Sequence, residues 1–116
     1  MTAPRLSVGA LPFAAMVLVS LVVLFAPASA TPSTWPPGVD KVVHLALFAA
    51  LAWTGRRAGL PVRALAVGLV AYAVGSEVLQ GLLPIGRDAE VLDAMVDVVG
   101  VTLGLAVARG RVGARE

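Results

Sequence analysis

Apolar residues in this chain fall into four long blocks, separated by short polar or proline-rich stretches. The blocks predict helices over about residues 6–26, 39–55, 63–83 and 91–108. The first block carries no charge and is long enough to cross a hydrocarbon core of about 30 Å. Prolines between the first two blocks exclude one continuous helix there. The pattern predicts an all-α membrane protein, a four-transmembrane-helix bundle.

Basic residues concentrate at one set of the predicted helix ends. Seven of the nine lysines and arginines lie at the N-terminus, after the second block or at the C-terminus. They are Arg5, Arg56, Arg57, Arg63, Arg109, Arg111 and Arg115. Because positive residues favour the cytoplasmic side, we expect a multi-pass protein of the cell membrane with both termini cytoplasmic. A signal peptide cleaved after Ala30 is the alternative for the first block, since Ala28-Ser29-Ala30 resembles a cleavage site.

Composition supports a membrane protein and excludes several other classes. Of the 116 residues, 59% are hydrophobic and 14% are charged, and the mean hydropathy is +0.91. A soluble domain this small could not bury so much apolar surface, so we treat residues 1–116 as one membrane domain. The chain has no cysteine, which excludes thiol chemistry. A formal charge of +2 with 5% aromatic residues also argues against a nucleic-acid partner.

The last three blocks must carry ionisable residues within the bilayer thickness if they span it. Uncharged stretches comprise 14 residues between Lys41 and Arg56, 13 between Arg63 and Glu77, and 11 between Asp97 and Arg109. None reaches the roughly 17 residues that a span requires. Ionisable groups at such depths normally face a bundle interior or an aqueous cavity. Re-entrant or interfacial segments are the alternative.

Residue counting places several of these groups at matching depths. At about 1.5 Å per residue, His44 and Asp97 both lie about 16 Å from the cytoplasmic ends of their helices. Asp40, Glu77 and Asp93 lie about one turn further out by the same count. Asp40 shares a helix face with His44, and Asp93 shares one with Asp97, because each pair is four residues apart. These depths and faces predict an outward-facing polar pocket between helices two, three and four.

Glu77 requires a partner if it is buried, and Arg87 and Lys41 are the two candidates. Asp88 and Glu90, in the outward loop, are expected to be solvated. The predicted binding residues of the pocket are Asp40, Lys41, His44, Glu77, Gln80, Arg87, Asp93 and Asp97. The alternative is that these groups only join the helices of the bundle to one another.

Two stripes of small residues predict close helix packing. Gly100 and Gly104 form a Gly-x-x-x-Gly pair on helix four, and Gly68 and Gly75 belong to a stripe on helix three. Small residues at this spacing allow another backbone to approach closely. Both stripes suit packing within the chain, and contact between two copies of the chain is the alternative.

The polar residues give only a weak indication of a metal site. One histidine with several carboxylates suits a hard divalent cation or zinc. The chain lacks the His-x-x-x-His and His-Glu-x-x-His spacings that characterise zinc sites. We therefore predict no metal and no cofactor.

Three short motifs together resemble the VanZ-like family of small bacterial membrane proteins. The first runs from Asp40 to His44 with Phe48 after it, and the second from Glu77 to Gln80. The second leads to Pro84, Gly86 and Arg87, and the third comprises Asp93, Asp97 and Gly100. The motifs cover about residues 40–104. Asp97 departs from the family, which usually has asparagine there.

The resemblance implies a role at the cell envelope without naming a reaction. The founding members of the family accompany glycopeptide-resistance genes and are linked to low-level teicoplanin resistance. We expect a protein that binds membrane lipid headgroups, a lipid-linked envelope precursor or a lipophilic glycopeptide. The alternative is an intramembrane hydrolase or transferase that uses His44 and the carboxylates, and a proton relay is a third class.

Overall fold

The computed structural model describes residues 9–30 and 35–115, the last six of them as backbone only. Its helices are α1 (Ala10–Phe25), α2 (Val39–Arg57), α3 (Val62–Leu82) and α4 (Val91–Arg115), with a short 3₁₀ turn at Ala28–Ala30. The described residues contain no strand, which confirms the all-α class. Residues 6–8 of the predicted first helix, and Arg5 before them, lie outside the described part of the chain.

The helix boundaries follow the local backbone chemistry. Gly59 ends α2 with a φ of 92°, and the Leu60 N–H donates to the Gly55 carbonyl at 3.1 Å, which together satisfy the end of that helix. Pro61 then precedes α3 directly. The prediction that the fourth helix ends near residue 108 is wrong, because α4 continues to Arg115. Three of the seven residues in this extension are arginine, a good helix former, and the helix continues through Gly110 and Gly113 although glycine disfavours it.

Two of the helices are long and apolar enough to cross a membrane, namely α3 and the part of α4 up to Arg109. The shorter α1 is also apolar, with 16 residues. Large apolar side chains cover the outside of these helices: Val22, Val67, Leu82 and Val91 are between 70% and 80% exposed. Such extensive exposed apolar surface is unusual for a soluble monomer and agrees with a membrane protein.

The core of the bundle lies along α2. Phe48 and Leu51 are fully buried, and they pack with Leu24 of α1 and Val101 of α4. The ring of Phe48 also lies 5.6 Å from that of Tyr72 on α3. This apolar core fixes α2 between its neighbours and thereby positions the polar side chains that lie one turn nearer its N-terminus.

Helices α2 and α4 approach each other closely at the Gly-x-x-x-Gly pair. A Cβ atom at Gly100 would lie 2.6 Å from the Leu45 carbonyl oxygen, and one at Gly104 would overlap the Ala49 carbonyl oxygen. The predicted packing role of Gly100 and Gly104 is therefore found. It allows the facing side chains of α2 and α4 to meet across a short distance.

The stripe on α3 behaves differently from the one on α4. A Cβ atom at Gly68 or at Gly75 would meet nothing within 4 Å. Gly68 instead borders an apolar cavity of about 360 Å³ on the α1–α3 face, together with Phe13 and Tyr72. No described part of the chain therefore packs against Gly68 or Gly75, and contact of this stripe with a second copy of the chain stays a prediction.

Candidate functional site

His44 of α2 and Asp97 of α4 form a buried pair. Their Nδ1 and Oδ1 atoms lie 2.8 Å apart. His44 is 4% exposed and Asp97 is fully buried. Counting residues at a fixed helical rise predicted this contact, and the Gly-x-x-x-Gly approach one to two turns further along α4 makes it short enough for a hydrogen bond.

Glu77 of α3 completes the buried cluster, with 5% exposure. Its Oε2 atom accepts the backbone N–H of Glu90 at 2.9 Å, immediately before α4 begins. The predicted partners of Glu77, Arg87 and Lys41, contact other groups, so that prediction is wrong. A backbone donor at a helix N-terminus takes the place of a cationic side chain.

His44, Glu77 and Asp97 form what we call the inner triad. One potential ligand atom from each residue lies within 4.8 Å of those from the other two. Two oxygens of the triad, Glu77 Oε1 and Asp97 Oδ2, are buried without a hydrogen-bond partner. Each carboxylate therefore has one oxygen held by the protein and one oxygen free within the cluster.

A second layer of charge lies above the triad, toward the N-terminal ends of α2 and α4. The Lys41 ammonium contacts Asp93 at 2.6 Å, Glu90 at 2.8 Å and Asp40 at 3.3 Å. We call these four residues the outer cluster. Asp40 and Glu90 are about half exposed, whereas the Asp93 side chain is only 10% exposed. Glu90 is exposed, as predicted, but its carboxylate also accepts from Lys41 and its backbone N–H donates to Glu77, two contacts that were not predicted.

Asp93 links the outer cluster to the inner triad. Its Oδ1 atom accepts from Lys41, while its Oδ2 atom lies 3.9 Å from His44 Nε2. The predicted residues Asp40, Lys41, His44, Glu77, Asp93 and Asp97 thus form one continuous polar assembly. Its inner part is closed in this structure, since the triad side chains are buried, whereas an outward-opening pocket was predicted.

Gln80 and Arg87 belong to a different contact. The Gln80 amide donates to the Leu24 carbonyl at 2.7 Å, and Arg87 Nε donates to the Ala26 carbonyl at 2.7 Å. Both carbonyls lie at the C-terminal end of α1, which the helix leaves unpaired. Their predicted place in the pocket is therefore corrected: these two side chains attach α1 to α3 and to the loop that follows α3.

Sequence reasoning identified neither the contacts of Glu90 within the site nor the α1 carbonyls that Gln80 and Arg87 contact away from it. The relevant signal for Glu90 was its position just before the first residue of α4, where N–H groups are free to bind an anion. For α1, the only signal was the proline at position 27, which ends that helix.

Comparison with known proteins does not extend this description. No family model, no curated protein and no solved structure matches the chain.

Proposed function

We propose that the chain is a VanZ-like integral membrane protein whose four helices all span the cell membrane, with both termini in the cytoplasm. The distribution of charge along the bundle supports this orientation. Arg56, Arg57, Arg63 and Arg109 lie at the end opposite the outer cluster. Positive residues favour the cytoplasmic side, which directs the polar assembly outward.

Cysteine labelling tests the orientation, because the chain has no native cysteine. We expect Asp88→Cys, in the loop between α3 and α4, to react with an impermeant maleimide on intact cells. Ala58→Cys, in the turn between α2 and α3, should react only after the membrane is opened. Labelling of both positions from the same side would contradict the orientation.

The proposed role of the outward polar assembly is to bind the headgroup of an envelope lipid, of a lipid-linked precursor or of a lipophilic glycopeptide. The observation that carries this proposal is the continuity of the outer cluster with the buried triad. Lys41 supplies a partly exposed cation beside three carboxylates. Headgroups with both charges and hydroxyl groups match such a surface, and α3 and α4 carry apolar surface for an attached acyl chain.

Two measurements test this role. We expect cells that produce the protein to tolerate more teicoplanin than the same cells without it. The full chain, purified in mild detergent, should retain an envelope lipid that native mass spectrometry detects. Unchanged susceptibility to teicoplanin, together with a purified protein that retains no lipid, would contradict the proposal.

A matched pair of variants locates the binding. Lys41→Gln should lose most of the retained lipid, because it removes the outward cation. Arg63→Gln, an exposed change at the opposite end of the bundle, should retain it. Lys41→Gln keeps an amide donor for Asp93, and Arg63 makes no ion pair among the described residues, so both variants are expected to fold. Equal lipid retention by both variants would exclude binding at the outer cluster.

An intramembrane hydrolase or transferase is the second candidate, and the contact between His44 and Asp97 favours it. A carboxylate that orients an imidazole is typical of a general base. Ser76, which directly precedes Glu77, donates to the Ala73 carbonyl instead of to His44, so water would have to be the nucleophile. Turnover of a lipid-linked phosphate by the purified wild type, but not by His44→Gln, would favour this candidate over simple binding.

A further inference from the structure

The inner triad brings together three metal-ligating side chains from three different helices. His44, Glu77 and Asp97 are each at least 95% buried, and their potential ligand atoms lie within 4.8 Å of one another. Ligands at this separation need only small side-chain movements to share one ion at the usual distance of about 2.0–2.2 Å. Because each residue stands on a separate helix, the packing of the bundle holds them in place.

The free oxygens of the triad point to a missing partner. Glu77 Oε1 and Asp97 Oδ2 are both buried without a hydrogen bond. Buried carboxylates are costly unless they are paired or bind a metal. Glu77 Oε2 and Asp97 Oδ1 are already fixed, by the Glu90 N–H and by His44. A carboxylate held by one oxygen and free at the other is the usual arrangement for a metal ligand with outer support.

The protein's own nearby cation is used elsewhere. Lys41 lies in the outer cluster, where its ammonium is within 3.3 Å of three carboxylates. The acidic residues Asp40, Glu90 and Asp93 could also group around an ion, but Lys41 already occupies that position. The inner triad has no lysine or arginine within salt-bridge distance among the described residues.

The donor set indicates the kind of ion. Two carboxylates with a neutral imidazole carry a charge of about −2, which a divalent cation balances. An imidazole favours first-row transition metals, and carboxylates accept zinc and manganese. We propose that His44, Glu77 and Asp97 bind one divalent transition-metal cation, for which zinc is the probe. Three protein ligands leave a coordination position open, as in catalytic zinc sites.

This proposal does not depend on lipid binding, since it concerns only the buried triad. The test uses the full chain in mild detergent, first stripped with a chelator and then titrated with zinc by calorimetry. We expect one zinc ion per chain and a higher melting temperature when zinc is present, because a ligand that binds only the folded state stabilises it. Absence of stoichiometric zinc binding in folded wild-type protein would overturn the proposal.

Variants of the triad residues test which side chains bind the zinc ion. Glu77→Gln and Asp97→Asn should each weaken zinc binding about 100-fold or more, since loss even of an outer partner costs about 10- to 100-fold. Asp97→Asn preserves an acceptor for His44, so it provides a folded test if Glu77→Gln fails to fold. If folded Asp97→Asn bound zinc with the affinity of the wild type, the assignment of Asp97 as a zinc ligand would be overturned.

Two control variants separate the triad from other acidic groups. Asp88→Asn changes an exposed loop carboxylate, and Glu90→Gln changes the outer cluster while leaving the Glu90 N–H in place. Asp88→Asn should bind zinc as the wild type does, and Glu90→Gln should still bind one zinc ion per chain. Loss of zinc in Glu90→Gln with retention in Asp97→Asn would move the ion to the outer cluster and refute the triad as the site.

Discussion

Replacing Gly104 with alanine is expected to lower the free energy of unfolding of the bundle by about 3 kcal/mol, at the upper end of the usual cost of overpacking. A Cβ atom at this position overlaps the Ala49 carbonyl oxygen and lies 2.8 Å from the Ala52 Cβ. The overlapped atom belongs to the α2 backbone, so no change of rotamer relieves the contact. Helices α2 and α4 must separate, and the contact between His44 and Asp97 lengthens with them.

Gly68→Ala is the matched control for this prediction. Gly68 also lies inside a helix, but a Cβ atom there meets nothing within 4 Å. Alanine is favoured over glycine in a helix by up to about 1 kcal/mol, so this variant should be as stable as the wild type or slightly more stable. Unfolding in increasing concentrations of dodecyl sulfate measures the stability of both variants. Equal stability of Gly104→Ala and Gly68→Ala would show that α2 and α4 are not in contact at Gly104.

The spacing of glycines along a helix does not determine whether that face contacts another helix, as the two glycine stripes show. Gly68 and Gly75 on α3, like Gly100 and Gly104 on α4, present small residues on one helix face. Only the α4 pair meets another backbone. Small residues permit close approach, but the choice between the two faces depends on how the whole bundle packs, which local sequence does not encode.

Contacts between side chains at fixed depth were easier to predict than contacts with the backbone. The rise of a helix is constant, so His44 and Asp97 could be matched by counting residues from the C-terminal ends of their two helices. Glu77, by contrast, binds the Glu90 N–H, and Gln80 binds the Leu24 carbonyl. Every residue carries these backbone groups, so no residue type signals which of them is free at a helix end.

A metal site assembled from separate helices also leaves no linear motif. The absence of His-x-x-x-His argued against a metal in the sequence, because that spacing places two ligands on one helix face. The inner triad takes one ligand from each of α2, α3 and α4, at positions 44, 77 and 97. Their proximity depends on matched depths in α2 and α4, which run parallel, and in α3, which runs antiparallel to them, so no single sequence motif records it.

Asp97→Leu is expected to destabilise the protein by about 1–3 kcal/mol relative to Asp97→Asn, because it leaves the buried His44 imidazole without its partner. Asp97 is fully buried and its Oδ1 atom lies 2.8 Å from His44 Nδ1. Asparagine retains an oxygen acceptor at nearly the same place, whereas leucine offers none. Dodecyl sulfate unfolding of both variants, with wild type as reference, measures the difference.

A double-variant cycle shows whether the stability lost in Asp97→Leu comes from the contact between His44 and Asp97. When both partners of a buried hydrogen bond become apolar, no unsatisfied group remains, so the cost is smaller than the sum of the single changes. We therefore expect His44→Leu combined with Asp97→Leu to be more stable than the two single losses added together. If the changes in the free energy of unfolding simply added, the two side chains would not interact. Since the triad is built on their contact, additivity would also remove the structural basis for a shared ion between α2 and α4.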